Sequence, residues 1–188
     1  MTSRPALRDH VATMIMDRAA TVLAERGDAL SMTEIARAAG VGRATLYRYF
    51  PNRDALLSAM ADAALDDLAA RIDDARLDTV PVGEAIARIT RAFIGSGKYA
   101  ILARDEHGAC ERSSELDRRL TTPLRQLFQK GIDTGVLRAD LSADLMLMVS
   151  GALLQTGIEM AAIVGGEQAS ATITSLFLDG VRAPTQDA

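Results

Sequence analysis

The chain has 188 residues, 48% of them apolar, which suffices for one domain or two small ones with a real core and argues against global disorder. With no Trp, 4% aromatic residues and an abundance of Ala, Leu, Arg, Asp and Glu, the composition favours helices over sheets. The net charge of −4 weighs against a nucleic-acid binder until its distribution is read: residues 1–53 carry a net +3 and the rest −7, a weakly basic head on an acidic body.

His10 to Arg26 reads as a first helix, with Val11, Met14, Ile15, Ala19, Val22 and Leu23 at three- and four-residue spacing and Gly27 as its terminator. Ser31-Met32-Thr33-Glu34 is a capping box, in which the Ser hydroxyl and the Glu carboxylate each satisfy the other's backbone amide. A short second helix follows, with Ile35, Ala36 and Ala39 on its buried face. Gly40 ends it at a position suited to positive φ. A third helix runs from about Arg43 to Tyr49, with Leu46 and Phe50 one turn apart facing inward. Pro51-Asn52 interrupts the chain, and Asn52 is an N-cap for a long fourth helix, about 53–75, with Leu56, Leu57, Met60, Leu65 and Leu68 as its apolar contacts. Two short helices around a Gly-containing turn, packed on a third, make a helix-turn-helix.

Beyond Asp78, Pro81 opens a helix containing Ile86, Ile89, Phe93 and Ile94, which Gly95-Ser96-Gly97 interrupts. Another helical segment covers about 98–109. Ser113 is a cap for the next, through Leu116, Leu120, Leu124, Leu127 and Phe128, which Pro123 should kink or restart and Gly135 closes. Leu141 to Val164 is a long apolar helix and Gln168 to Val181 another. No stretch reads as a strand, and no internal repeat suggests a solenoid. The most apolar run, Leu145 to Leu154, is too short to span a bilayer, and no signal peptide is expected. A single cysteine, Cys110, forbids an intrachain disulfide, in keeping with a reducing cytoplasm.

The stretch from Ile15 to Leu57 resembles the N-terminal domain of the TetR family of regulators. The matching residues are Ile15, Ala19-Ala20, Leu23-Ala24-Glu25-Arg26-Gly27, Thr33-Glu34-Ile35-Ala36, Ala38-Ala39-Gly40-Val41, Ala44-Thr45-Leu46-Tyr47-Arg48-Tyr49-Phe50, Asn52-Arg53 and Ala55-Leu56-Leu57. Leu23 stands where the family usually has Phe, and Arg53 where Lys is usual. The resemblance implies an all-α fold with a three-helix DNA-binding domain (residues 1–53) and a helical effector-binding and dimerisation domain (54–188). It implies that Arg43, Ala44 and Thr45 lie near bases and that Thr33, Tyr47, Tyr49 and Arg53 contact the DNA backbone. Arg48 is a further candidate contact. The residue chemistry agrees: Arg reads guanine bidentately, Ala and Thr methyls meet a thymine methyl, and Tyr hydroxyls donate to phosphate.

The resemblance also implies a cytoplasmic homodimer through the two C-terminal helices, a palindromic operator on double-stranded DNA, and release of a repressor by a small molecule. The apolar character of 141–164 on nearly all sides independently calls for a partner on one face; a deeply buried core helix in a monomer is the other reading. The effector pocket is expected between the fourth to eighth helices, with Met60, Phe93, Tyr99, Leu102, Phe128, Met146 and Met148 as candidate lining, each of which also suits plain core. Gly95-Ser96-Gly97 is a candidate hinge.

No enzymatic activity, cofactor, metal or membrane contact is expected. Gly95-Ser96-Gly97-Lys98 would need Gly at 92 and Ser or Thr at 99 to be a phosphate-binding loop; the chain has Ala92 and Tyr99, and no strand precedes them. His107 and Cys110, between Glu106 and Glu111, have no further ligand to complete a metal site, since the other histidine is His10 in the first helix. Two other classes remain open: a helical ligand-binding or scaffolding protein that no longer binds DNA, and a small helical enzyme. The first should have lost the outward Arg, Thr and Tyr residues, which are present. The second needs a convergent set of His and carboxylates.

Overall fold

In the computed structural model, residues 4–26, 31–96 and 114–183 are described, with side chains from residue 10 onward in the first of these and up to residue 23. They are helical nearly throughout and fall into two compact units, divided between Ala63 and Ala64.

The first unit holds α1 (Arg4–Arg26), α2 (Met32–Ala38), α3 (Arg43–Tyr49) and the start of α4 (Arg53–Asp74). Helix α1 starts six residues before His10, where the sequence pattern places it. Pro5 is its second residue, a position where the missing amide would have had no intrahelical partner. Ser31 caps α2 as its sequence predicts: its Oγ accepts from the Glu34 amide at 3.3 Å, and the Glu34 carboxylate accepts from the Ser31 amide at 2.9 Å. The helix ends in a Schellman turn, with the Val41 amide donating to the Ala36 carbonyl and the Gly40 amide to Arg37. Gly40 takes φ +66°, which a Cβ would disfavour. Asn52 caps α4, its Oδ1 accepting from the Ala55 amide at 2.7 Å. Helix α1 packs on α2 and α2 on α3. Ile15, Ala19, Leu23, Met32, Ile35, Ala36, Leu46, Phe50, Leu56 and Met60 are buried.

The second unit contains the rest of α4, then α5 (Val82–Ser96), α6 (Thr122–Asp133), α7 (Ala143–Val164) and α8 (Gly166–Val181). Gly95 and Ser96 belong to α5, whereas Gly97 and the segment about 98–109 lie outside the described residues, as does Ser113. Pro123 restarts its helix by an unforeseen route. Residues Asp117–Thr121 form a π-helical turn, and the α-helix resumes at Thr122 with Pro123 in its first turn. In an unbroken α-helix residue 123 would owe an amide to the carbonyl of Arg119, and the proline ring would collide with that carbonyl. Widening the turn, with the Thr122 amide donating to the Asp117 carbonyl, removes the conflict.

Helix α7 has 22 residues, with an 18-residue stretch of mean hydropathy 1.6, and so has the length of a bilayer span, contrary to the expectation drawn from its most apolar ten residues. Its inner side, Ala143, Met146, Leu154 and Gly157, is buried. A single residue, Gly165 at φ +86°, joins α7 to α8, which pack along one another; α8 also packs on α5, and α6 on both α5 and α7. The core runs through Leu65, Leu68, Ile89, Phe93, Leu127, Phe128, Met146, Leu154, Ile173 and Phe177. An isolated antiparallel bridge, Leu137 with Arg182, ties the loop after α6 to the chain beyond α8; it is the one β pairing among the described residues.

Candidate nucleic-acid interface and effector cavity

Helix α3 is sorted by its own period. Leu46 is fully buried and Phe50, four residues on, is buried with it. The opposite side consists of two i,i+4 rows, Arg43 with Tyr47 and Ala44 with Arg48, all four exposed. Tyr47 leaves 41% of its surface to solvent. Thr45 and Tyr49 are half-buried on the flank. The Arg48 guanidinium lies 5.4 Å from the centre of the Tyr49 ring, and Tyr49 is tilted against Phe50 with centroids 6.5 Å apart. The Tyr49 ring thus links the Arg48 guanidinium to the core through Phe50. Thr33 is exposed in the first turn of α2, and Arg53 is half-buried as the first residue of α4. Helix α3 carries two arginines and no acid, so its outer face offers cationic and hydroxyl groups to a polyanion.

The seven residues expected to line an effector pocket are dispersed. Phe93, Phe128 and Met146 are buried in the second unit's core, Met60 is buried in the first unit, and Met148 is 65% exposed on α7. Tyr99 and Leu102 lie outside the described residues. A narrow cavity opens within the second unit between α5, α6, α7 and α8. Phe128 is in its wall, 5.5 Å from Phe177 between ring centroids. Ile86, Ile89 and Thr90 line it from α5, Leu124 from α6, Ser150, Leu153 and Leu154 from α7, and Ile173 and Phe177 from α8. Sequence reasoning missed these. Their signal was the helical period that puts Ile86, Ile89 and Thr90 on one face of α5, but nothing local says which face meets a void.

On the outer side of α7 an apolar stripe stands in solvent: Leu145, Met148 and Val149, with Ile163 further along. Leu176 of α8 is 59% exposed and shares a groove with Leu145, Val149 and Leu153. No group of three or more potential metal ligands occurs among the described residues; His107 and Cys110 are outside them.

Residues 15–60 match the family model for bacterial regulatory proteins of the tetR family. The chain is 30% identical over 145 residues to the HTH-type transcriptional repressor KstR2 of Rhodococcus jostii, covering 71% of each protein. It is 38% identical over 94 residues to the repressor LfrR of Mycolicibacterium smegmatis; that match spans half of this chain and 49% of LfrR, about half the length of that relative. The crystal structure of LfrR from Mycobacterium smegmatis in complex with proflavine superposes with TM-score 0.74 at 26% identity, covering 95% of this chain and 99% of that one. A helix-turn-helix with a polar outward face, an all-helical second unit and a repressor aligned over most of both chains place this protein: it belongs to the TetR family of bacterial regulatory proteins.

Proposed function

We propose that the chain is a ligand-responsive transcriptional repressor of the bacterial cytoplasm. As a homodimer it grips a palindromic operator with α3 and releases it when a small molecule enters the second unit. The observation that carries the DNA-binding part is the outward face of α3, where Arg43, Ala44, Tyr47 and Arg48 are exposed while Leu46 is fully buried. Arg43, Ala44 and Thr45 are the residues for base edges; Thr33, Tyr47, Tyr49 and Arg53 are those for phosphates, with Arg48 beside them.

The exposed apolar stripe of α7, with Leu176 of α8, supports dimerisation through the two C-terminal helices. Such a patch in water favours association, and a two-fold pairing of the same patch gives two recognition helices for two half-sites. The repressors KstR2 and LfrR among its relatives support the sign of regulation, and the LfrR–proflavine complex supports a small-molecule effector.

The test is electrophoretic mobility shift on the DNA upstream of the chain's own gene and on a random-site pool, at fixed salt. Arg43→Ala should weaken specific binding by about 5- to 150-fold, the range of a lost base contact, and Tyr47→Phe should weaken it less and equally on all sequences. Folded dimer that selects no DNA sequence would sink the regulator reading and leave a helical ligand-binding or scaffolding protein.

A further inference from the structure

The cavity between α5, α6, α7 and α8 has an unusual chemical inventory. Its described lining holds no charged side chain; Ile89, Leu124, Phe128 and Phe177 represent its apolar walls. The polar side chains that line it are Thr90 and Ser150. Both hydroxyl protons are already engaged along their own helices. Thr90 Oγ1 donates to the Ile86 carbonyl at 2.9 Å, and Ser150 Oγ donates to the Leu147 carbonyl at 2.8 Å. Each oxygen therefore faces the cavity as an acceptor with lone pairs to spare. Thr90 is 94% buried, since only 6% of its surface is exposed, so its lone pairs have no easy access to bulk water.

A ligand in this cavity meets acceptors, aromatic faces and aliphatic walls. A carboxylate or phosphate would leave its water shell and find no donor and no cation among these residues. An ammonium would find no carboxylate. A neutral molecule loses nothing comparable, and one with a hydroxyl or N–H can donate to Thr90 or Ser150. The cavity is narrow, so a ligand enters by moving its walls, of which the half-buried Leu153 is one. Binding then favours an opened form of the unit over the closed one, the requirement for an effector.

We propose that this cavity is the effector site and that its ligand class is a neutral, mainly apolar molecule bearing a hydrogen-bond donor, of the alkylphenol or hydroxylated-hydrocarbon kind. This rests on reading the second unit as the effector-binding part of a regulator.

The experiment titrates the full chain by calorimetry with four probes of one shape: 4-hexylphenol, 4-hexylanisole, 4-hexylbenzoate and 4-hexylbenzylammonium. The phenol should bind about three- to tenfold more tightly than the anisole, the worth of one neutral hydrogen bond, and the two ions at least about a hundredfold more weakly than the phenol. The near-isosteric Thr90→Val combined with Ser150→Ala should bring the phenol down to the anisole's affinity and leave the anisole unchanged; a phenol that keeps its advantage in the double variant overturns the donor requirement. Leu153→Trp, checked for folding by circular dichroism and for an unchanged oligomeric state by sedimentation velocity, because Leu153 also borders the outer groove of α7 and α8, should block all binding. Benzoate or benzylammonium binding as tightly as the phenol, and blocked by Leu153→Trp, overturns the ligand class and leaves the site. Binding that Leu153→Trp does not touch, or no binding by any probe, overturns the site. Operator binding by the ligand-free protein, followed separately by fluorescence anisotropy, tests the regulator reading alone: loss there with the expected probe pattern intact removes the regulator and keeps the cavity.

Discussion

Gly131 shows what one missing methyl can do in this protein. It is buried in α6, and a Cβ there would lie 2.5 Å from Leu137 Cδ1, 2.6 Å from Leu137 Cγ and 3.1 Å from Val82 Cγ1. Leu137 is itself buried, and its Cγ is not a free end that can swing aside. Gly131→Ala gains about 1 kcal/mol of helix propensity. It loses about 1–3 kcal/mol to overpacking. The expected net is a destabilisation of about 1 kcal/mol, read as a fall of about 2–4 °C in the melting temperature; a rise would show that Leu137 repacks freely. Gly157 on α7 is confined in the same way by Ile94 and Ile173. Neither glycine's role was legible in the sequence, because the atoms that exclude a side chain come from other helices. Gly40 was legible, because the end of α2 by itself demands its positive φ.

At the scale of elements, short-range chemistry fixed the boundaries of the helix-turn-helix. The caps Ser31 and Asn52 and the turn at Gly40 stand where the residues foretold them. Ser31→Ala removes the acceptor for the Glu34 amide and should cost about 1 kcal/mol, localised to α2. Hydrogen exchange should quicken at the α2 amides while α7 keeps its protection, and operator affinity should fall without any change in dimerisation. Uniform loss of protection in both units would mean that the cap supports global folding instead. The π turn at 117–121 was only half legible. Pro123 announced a disturbance, but whether a proline bends, breaks or widens a helix depends on what the preceding turn packs against. Here Leu120 is buried and Arg119 reaches Asp66 of α4 at 2.6 Å. That contact raises the Arg119 pKa above its ordinary value, chiefly through the hydrogen bond to Asp66. Both side chains are partly in solvent, so the pair orients the turn and adds little stability.

The whole molecule has a weakly basic head and an acidic remainder, and the 22-residue α7 turns Leu145, Met148, Val149 and Ile163 outward. Met148 is the most exposed member of the Leu145, Met148 and Val149 group, and Leu176 on α8 is 59% exposed. Replacing Met148 and Leu176 together by Asp puts two desolvated charges into each copy's patch on association. The pair of changes should convert a dimer to a monomer in sedimentation velocity, keep the helical signal, and weaken operator binding by losing the second half-site. A dimer that survives both changes would move the interface elsewhere.

The sequence by itself determined the helical class and the helix-turn-helix, together with the outward face of α3. The class follows from the composition and period of the whole chain, while the helix-turn-helix turn and the third helix are written within the 23 residues from Ser31 to Arg53, where caps, turn glycines and a 3.6-residue period act between near neighbours. It also marked α7 as a helix in need of cover. Only the tertiary structure decided which side of α7 the core takes, and which of its Met and Leu residues remain outside. It alone assembled the cavity, whose walls come from Ile86 to Phe177 on four helices. Period and capping act along one helix and set which residues share a face. They hold no information about which faces of distant helices meet, and that meeting is settled by packing among side chains far apart in the chain.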